Sequence, residues 1–268
     1  MDWNLAPEAA KAFATGGKRF FSGIEVTERR LNNDLLVKVP VFFRRWSSIF
    51  ACFTVDSASV KQLLPSPLLV PVPAISGRTL VGMAAMDYQE VEGLPRYQEF
   101  GVMFPVRLRP RINLPLLPVL FPGKFSDFGW FVQYLPVTTL QAEAFGREVW
   151  GYPKCQATIT FRKLDGWVIC SVSEQEQEVL SLRVKILPPR VDANPYPTYT
   201  WHEGRILRTM VRTEGEAGVS LCSPDSKFRL GNHPRSALLK SLNPSRRPFL
   251  TVSAPLVRSV LFDGHHAD

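Results

Sequence analysis

Short runs of β-branched and aromatic residues, separated by prolines and other turn residues, constrain the fold of this chain most. These residue types favour strands, and the turn residues between the runs end each strand. The sequence contains 23 prolines, which argues against long helices because proline ends a helix. Strands spaced this closely are typical of a β-barrel or a β-sandwich. The runs lie at 39–43, 49–55, 78–89, 101–108, 128–137, 155–162, 166–172, 179–186 and 249–262.

Helix signals are few and short. A proline in the first turn and a following Gly-Gly pair predict a helix at 7–15. Asp56 is a favourable N-cap for a second helix at 57–64, which Pro65 closes. A third helix is predicted at 235–242. The fold class is therefore α+β and mostly β.

Nothing in the sequence marks a second domain. It contains no internal repeat, no low-complexity linker and no break in composition. We interpret residues 1–36 as an N-terminal extension and residues 37–268 as a single domain.

The charge balance is basic, with 32 Lys and Arg residues against 24 Asp and Glu residues, a formal net charge of +8. Such a charge is compatible with nucleic acid, with an anionic small molecule or with solubility alone. The basic residues are spread along the chain without interleaved aromatics, which is not the pattern of a nucleic-acid surface. The sequence has no run of 18 apolar residues and no secretory pattern, so we expect a cytoplasmic protein without stable membrane insertion.

The usual signatures of metal and nucleotide chemistry are missing. The sequence contains no GxGxxG, P-loop, HExxH or GxSxG motif. Its four cysteines have no CxxC spacing, and only four histidines accompany them, so we expect reduced thiols, no zinc site and no external cofactor. The cysteines are Cys52, Cys155, Cys170 and Cys222.

One apolar stretch, at residues 107–124, is punctuated by prolines and flanked by basic residues. Its prolines exclude a regular helix. One interpretation is a loop packed on the barrel or in a subunit interface, and the other is a hydrophobic lid or a finger that touches a membrane. We prefer the first interpretation.

Lys154 stands out among the candidate catalytic residues. It follows Pro153 at the entrance to a predicted strand, and Trp150 and Tyr152 precede it. Proline donates no ladder hydrogen bond there, and the aromatic rings are placed to exclude water. Burial favours the neutral amine, which is the form that attacks a carbonyl group to make a Schiff base. The alternative from these residues alone is an ordinary solvated lysine, which is the more common case.

The same segment resembles the acetoacetate decarboxylase family, whose hallmark is a GRE triplet followed by a Tyr or Phe, a proline and the Schiff-base lysine. Here the triplet lies at 146–148 and the YPK at 152–154. With its further stretches the resemblance covers about residues 37–264, and it implies a closed antiparallel β-barrel with a few flanking helices. The further stretches lie at 56–67, 97–106 and 229–262.

The resemblance assigns roles to individual residues. It implies that Lys154 forms the Schiff base and that Glu99 is the acidic residue beside it. The family's arginine corresponds to Arg45 or, on spacing, equally to Arg44, and a guanidinium suits a carboxylate substrate because it binds both oxygens. The predicted substrate-binding residues also include Tyr97, Trp150 and Tyr152.

Two departures from the family pattern bear on the reaction. Cys155 stands where the decarboxylase has a second lysine, but neighbouring side chains on a strand point to opposite faces, so Schiff-base chemistry is compatible with the change. An inner-strand glutamate of the family falls in the stretch 81–87, where small and apolar residues occupy the corresponding positions.

The resemblance therefore implies a lyase that decarboxylates a β-keto acid or a related oxo acid through a Lys154 imine and enamine. One alternative is an aldolase-dehydratase that uses a pyruvate-like substrate and the same lysine. Another is a non-catalytic binder of an apolar oxo acid. The aromatic neighbours of Lys154 favour a substrate bulkier than acetoacetate, and the family pattern implies a homo-oligomer.

Overall fold

The chain folds mainly into strands, with a few short helices between them. The computed structural model describes residues 13, 16–17, 19–75, 77–193 and 195–267, so the predicted helix at 7–15 lies almost wholly outside the described residues. The helices are α1 (Ser57–Leu63), α2 (Leu117–Leu120), α3 (Leu140–Trp150) and α4 (Pro234–Ser241), with a 3-10 turn at Pro122–Lys124. The strands are β1 (Thr27–Arg30), β2 (Leu36–Val39), β3 (Val41–Asp56), β4 (Leu69–Pro71), β5 (Arg78–Val91), β6 (Tyr97–Leu108), β7 (Phe128–Val137), β8 (Lys154–Gln156), β9 (Thr158–Leu164), β10 (Trp167–Glu174), β11 (Gln177–Lys185), β12 (Val191–Asp192), β13 (Tyr196–His202), β14 (Arg205–Leu221), β15 (Lys227–Leu230) and β16 (Leu250–His266).

Seven strands close into a barrel in the order β6, β5, β3, β16, β14, β13 and β7, and β7 then pairs with β6. The predicted closed β-barrel is thus confirmed. One pairing departs from the antiparallel expectation, because β7 and β13 run parallel. A parallel pair needs a long crossover connection, and here the chain between β7 and β13 forms α3 and most of a second sheet.

The barrel strands alternate between two apolar environments. On β5, Ala84 and Met86 face the barrel interior, while Met83 and Ala85 belong to an outer cluster. That outer cluster fills the space beneath a four-stranded sheet of β15, β11, β10 and β9. Because side chains alternate along a strand, one strand serves both cores.

Several predicted elements agree closely with the structure. Strand β7 has the predicted bounds, and α1 begins as expected after Asp56, whose carboxylate accepts a hydrogen bond from the Ser59 amide at 2.8 Å. The runs at 39–43 and 49–55 belong largely to the single strand β3, because the polar residues between them remain in the ladder.

Three elements near the site are absent from the sequence-based prediction: β13, β14 and α3. The sequences of β13 and β14 mix polar residues with apolar ones along their length. Helix α3 begins after Thr139, whose hydroxyl accepts a hydrogen bond from the Ala142 amide, and it ends at Gly151.

The N-terminal boundary falls inside a hairpin. Strand β1, within the predicted extension, pairs with β2, which crosses the proposed boundary at residues 36 and 37. No described helix has the length and apolarity needed to cross a membrane. The four cysteines are free, as predicted.

Candidate active site

Helix α3 and strand β8 together position Lys154. The helix ends where Gly151 adopts a left-handed conformation (φ 60°) and its amide donates to the Arg147 carbonyl at 3.1 Å. Such a C-cap favours glycine. The chain then turns into β8, which runs parallel to β7 with Lys154 opposite Leu135. Lys154 is consequently buried at 7% exposure, which is rare for a lysine.

Gly146 provides the space that the lysine side chain occupies. A Cβ atom on Gly146 would lie 2.5 Å from both Cδ and Cε of Lys154 and 3.1 Å from its Nζ. The glycine of the GRE triplet is therefore required by the close approach of α3 to the lysine.

Glu99 forms a buried ion pair with Lys154. The distance from Lys154 Nζ to Glu99 Oε2 is 2.7 Å, and each side chain is 8% exposed. The Tyr88 hydroxyl donates to Glu99 Oε1 at 3.4 Å. Removal of one partner from such a pair leaves an uncompensated charge in a medium that solvates it poorly, so the two side chains depend on each other.

The ion pair forms part of the wall of a partly open cavity of about 60 Å³. Lys154 and Glu99 are the charged members of its described lining, and the remainder is apolar or carries a hydroxyl group. The other lining residues are Phe43, Met86, Tyr88, Tyr97, Met103, Val132, Leu135, Tyr152, Tyr196, Thr198, Val211, Ser259 and Leu261.

Two tyrosine rings lie close to the ammonium group. Lys154 Nζ is 5.4 Å from the ring centre of Tyr97 and 5.9 Å from that of Tyr152, within the range of a cation–π contact. Burial and the negative charge of Glu99 raise the pKa of Tyr88 and of Tyr97 well above the usual value. These phenols are therefore neutral hydrogen-bond donors at physiological pH.

The sequence analysis did not single out several polar residues of the cavity, among them Tyr88, Tyr196 and Thr198. Thr198 shares a hydrogen bond of 2.8 Å with the Tyr152 hydroxyl. Tyr196 and Thr198 lie on β13, which was not predicted, and recognising that strand would have placed both on one face. Tyr88 follows Met86 at the strand period of two on β5, a signal that was available.

The structure brings Lys154, Glu99, Tyr97 and Tyr152 together around the cavity. Trp150 does not line it. The Trp150 indole is buried, and its Nε1 donates to the Phe262 carbonyl at 2.8 Å. This residue therefore holds α3 on the barrel and does not contact the cavity.

Neither Arg44 nor Arg45 belongs to the described lining of this cavity. Phe43 lines the cavity, so the next side chain, Arg44, points outward, where it pairs with Glu92 at 2.6 Å. Arg45 lies at an irregularity where the register between β3 and β5 shifts, and it is also absent from the described lining. Residue spacing from a motif does not carry across such a shift.

The inner face of β5 carries Ala84, Met86 and Tyr88, in line with the missing family glutamate. Asp87 points to the other face, where it pairs with Arg96 at 2.9 Å. Cys155 likewise points away from Lys154, and its sulfur lies 3.6 Å from Glu174 Oε1. Among the described residues, no group of three or more His, Cys, Asp or Glu side chains is arranged to hold a metal ion.

Comparisons with known proteins agree with this geometry. No curated protein matches the chain. A solved acetoacetate decarboxylase from Legionella pneumophila is 14% identical and has a TM-score of 0.67, with 85% of this chain and 87% of that chain covered. The enduracididine biosynthesis enzyme MppR, solved with the condensation product of pyruvate and imidazole 4-carboxaldehyde, is 12% identical and has a TM-score of 0.62, with 99% and 95% covered.

A third similar structure is an acetoacetate decarboxylase-like enzyme from Sphingomonas wittichii, 13% identical with a TM-score of 0.58, covering 87% of this chain and 94% of that one. At these identities the likeness establishes the fold. The family model described as acetoacetate decarboxylase matches residues 32–222, which is more than half of the chain. The chain therefore belongs to the acetoacetate decarboxylase family.

Proposed function

We propose that this protein is a Schiff-base-forming lyase that decarboxylates a β-keto acid through Lys154. The observation that carries the proposal is the buried pair of Lys154 and Glu99, 2.7 Å apart at the wall of a small cavity. Imine formation needs a primary amine and a base that accepts its proton. Lys154 and Glu99 provide these two groups.

Glu99 activates the lysine by accepting a proton from its ammonium group. The neutral amine then attacks the oxo carbon of the substrate, and the former oxo oxygen leaves as water once protonated, which produces a protonated imine on Lys154. The bond between the α-carbon and the carboxylate breaks next. Its electrons move to the imine nitrogen, which releases carbon dioxide and leaves a neutral enamine. Protonation of the enamine carbon and hydrolysis of the imine release the ketone and restore the amine.

The lining of the cavity supports the bond-breaking step. A carboxylate that leaves as carbon dioxide loses its charge, so an apolar environment disfavours the starting anion more than the transition state. Met86, Met103, Val132 and Leu135 provide this environment. The negative charge of Glu99 acts in the same direction.

The size of the cavity favours a short acid. A volume of about 60 Å³ is a few times the minimum needed to hold one water molecule. The aromatic residues of this cavity fill space that a substrate bulkier than acetoacetate would require. Lys154 and Tyr152 also line a more open pocket of about 450 Å³, so the expectation of a bulkier substrate stays a prediction.

An aldolase-dehydratase is the second candidate function. The hydroxyl pair of Tyr152 and Thr198 lies in the same cavity, where a neutral hydroxyl is placed to protonate a leaving oxygen. MppR, the similar structure solved with a pyruvate condensation product, supports the same candidate. In this reaction the enamine of a pyruvate-like donor adds to an aldehyde before water is lost.

Borohydride trapping tests the proposal. The protein is incubated with acetoacetate and reductant, and peptide mass spectrometry is expected to locate the reduced adduct on Lys154. Lys154→Ala should abolish the adduct while circular dichroism remains unchanged, and Lys163→Ala, which removes an exposed lysine of β9, should preserve it. No adduct on the wild-type lysine, while keto acids still bind, would mean a non-catalytic binder.

The two candidate reactions are separated by their products. With acetoacetate, decarboxylation releases carbon dioxide at a rate that depends on Lys154. With pyruvate and a short aldehyde, the alternative produces a conjugated enone, which is followed by its ultraviolet absorbance. Enone formation without carbon dioxide release would overturn the decarboxylase assignment and retain the Schiff base.

A further inference from the structure

The 107–124 segment has two different faces. Its inner face is attached to the barrel: the Leu116 amide donates to the Pro73 carbonyl at 2.9 Å, and the Asn113 side chain donates to the Pro71 carbonyl at 2.9 Å. Leu116 and Val119 pack against the apolar core. The predicted packing on the barrel is thus observed for one face of the segment.

The outer face is apolar and uncovered. Ile112 is 71% exposed and Phe121 is 57% exposed. Three leucines are exposed beside them, within ten residues of chain. Isolated exposed apolar residues are ordinary, but a contiguous group of this kind marks an interaction surface. The leucines are Leu114, Leu117 and Leu120.

Three cations frame the apolar group. Arg109, Arg111 and Lys124 are exposed, and their side chains form no ion pair with any residue that the structure describes. No acidic residue occurs from 108 to 126. Arg107 is different, because it is paired with Asp127 at 2.8 Å. The surface therefore combines exposed apolar side chains with unneutralised positive charge.

A groove adjoins this surface. It has a volume of about 610 Å³ and lies between the segment and strands β13 and β14. Phe121, Phe125 and Met210 give it an apolar lining, and Lys124 and Arg208 add positive charge. An acyl chain with an anionic headgroup would match both properties.

We propose that the outer face of the 107–124 segment docks on an anionic phospholipid surface. The apolar side chains would enter the boundary between headgroups and acyl chains, and the cations would contact the phosphates and carboxylates outside it. A second copy related by a two-fold axis is a poorer occupant, because such an interface would bring the same cations against each other. The proposed docking is peripheral and does not depend on the reaction at Lys154.

Vesicle flotation tests the proposal. The protein is mixed with vesicles of phosphatidylcholine alone or with about one third phosphatidylserine, in about 0.1 M salt, where charges act over about 10 Å. We expect binding to the anionic vesicles, weaker binding to the neutral ones and a decline as salt rises. Each basic residue contributes about fivefold, so Arg109→Glu/Arg111→Glu/Lys124→Glu should weaken binding at least about 100-fold.

A matched variant separates the surface from net charge. Arg162→Glu/Lys163→Glu/Lys185→Glu makes the same charge change on exposed residues of β9 and β11, and we expect it to bind almost like the wild type. Equal losses in both triple variants would mean attraction by overall charge and would overturn the proposal.

Insertion is tested separately from adsorption. Phe121→Trp adds a reporter, whose emission should shift to shorter wavelength and be quenched by brominated acyl chains. Ile112→Ser/Phe121→Ser should reduce binding about tenfold or more. Absence of vesicle binding, together with dimers in sedimentation that this variant dissociates, would identify the surface as an interface between copies. Absence of both would equally overturn the proposal.

Discussion

Replacing Glu99 by leucine removes one charge of the buried pair and leaves the ammonium group of Lys154 without its partner. The two groups are 2.7 Å apart and each side chain is 8% exposed, so water compensates little for the loss. Loss of one partner from a buried pair costs about 3–5 kcal/mol of unfolding free energy. For a chain of this length that corresponds to a fall in melting temperature of roughly 5–9 °C, because the unfolding entropy is about 2.1 cal/mol/K per residue.

A double-mutant cycle measures the pair itself. The single variants Glu99→Leu and Lys154→Met should each be strongly destabilised, whereas the double variant should be close to the wild type. Replacing both charges by apolar groups of similar size is often neutral, because the cost of desolvation disappears with the attraction. Unfolding free energies come from urea titrations of all four proteins.

Additive free energies would refute this account of the pair. If the double variant loses the sum of the two single losses, the side chains are independent and the ion pair does not explain the burial of Lys154. Single losses below about 1 kcal/mol would have the same meaning, since they are typical of exposed pairs.

Two further predictions concern the surroundings of the lysine. Gly146→Ala places a Cβ atom 2.5 Å from Cδ and Cε of Lys154, so the formation of the borohydride adduct should slow at least about tenfold. Gly123→Ala is the control, because its Cβ atom meets no atom within 4 Å, and it should leave the rate unchanged. Burial, with Glu174 nearby, raises the pKa of Cys155 to about 11, so its alkylation by iodoacetamide should rise about tenfold per pH unit up to that value because the thiolate reacts. Labelled-peptide mass spectrometry measures this rise, and alkylation of Cys155 that is fast and constant between neutral pH and pH 10 would contradict it.

Elements with uniform apolar or alternating composition were predictable. Strand β7 has the sequence FGWFVQYLPV, and the structure confirms its predicted bounds. They are predictable because the strand is rich in β-branched and aromatic residues and has turn residues on both sides. The sequence does not predict strand β14, because five charged residues and two glycines lie among its apolar residues. They are tolerated because the strand is held by its pairing with β13 and β16, and not by its own composition.

The site was predictable where one motif contains the residues and less so where distant strands meet. Tyr152 and Lys154 lie in one short segment, so the motif was enough to bring them together. Tyr196 and Thr198 line the same cavity from β13. That strand pairs with β7 through only two residue pairs. The register between β13 and β7 decides which side chains of β13 face inward. That register depends on how the barrel closes and cannot be predicted from the local sequence.

The position of the ion pair follows from three adjacent strands. Glu99 on β6 lies opposite Val137 of β7, and Lys154 on β8 lies opposite Leu135 of β7. The two side chains therefore meet across β7, from strands separated by two sheet spacings, about 10 Å in all. Long side chains are needed on both strands to close that gap to 2.7 Å. This requirement accounts physically for a lysine at 154 and for a glutamate, in preference to the shorter aspartate, at 99. Because β6 and β7 also pair with each other in the closed barrel, the ion pair requires that long-range pairing in addition to the local turn that places Lys154 on β8.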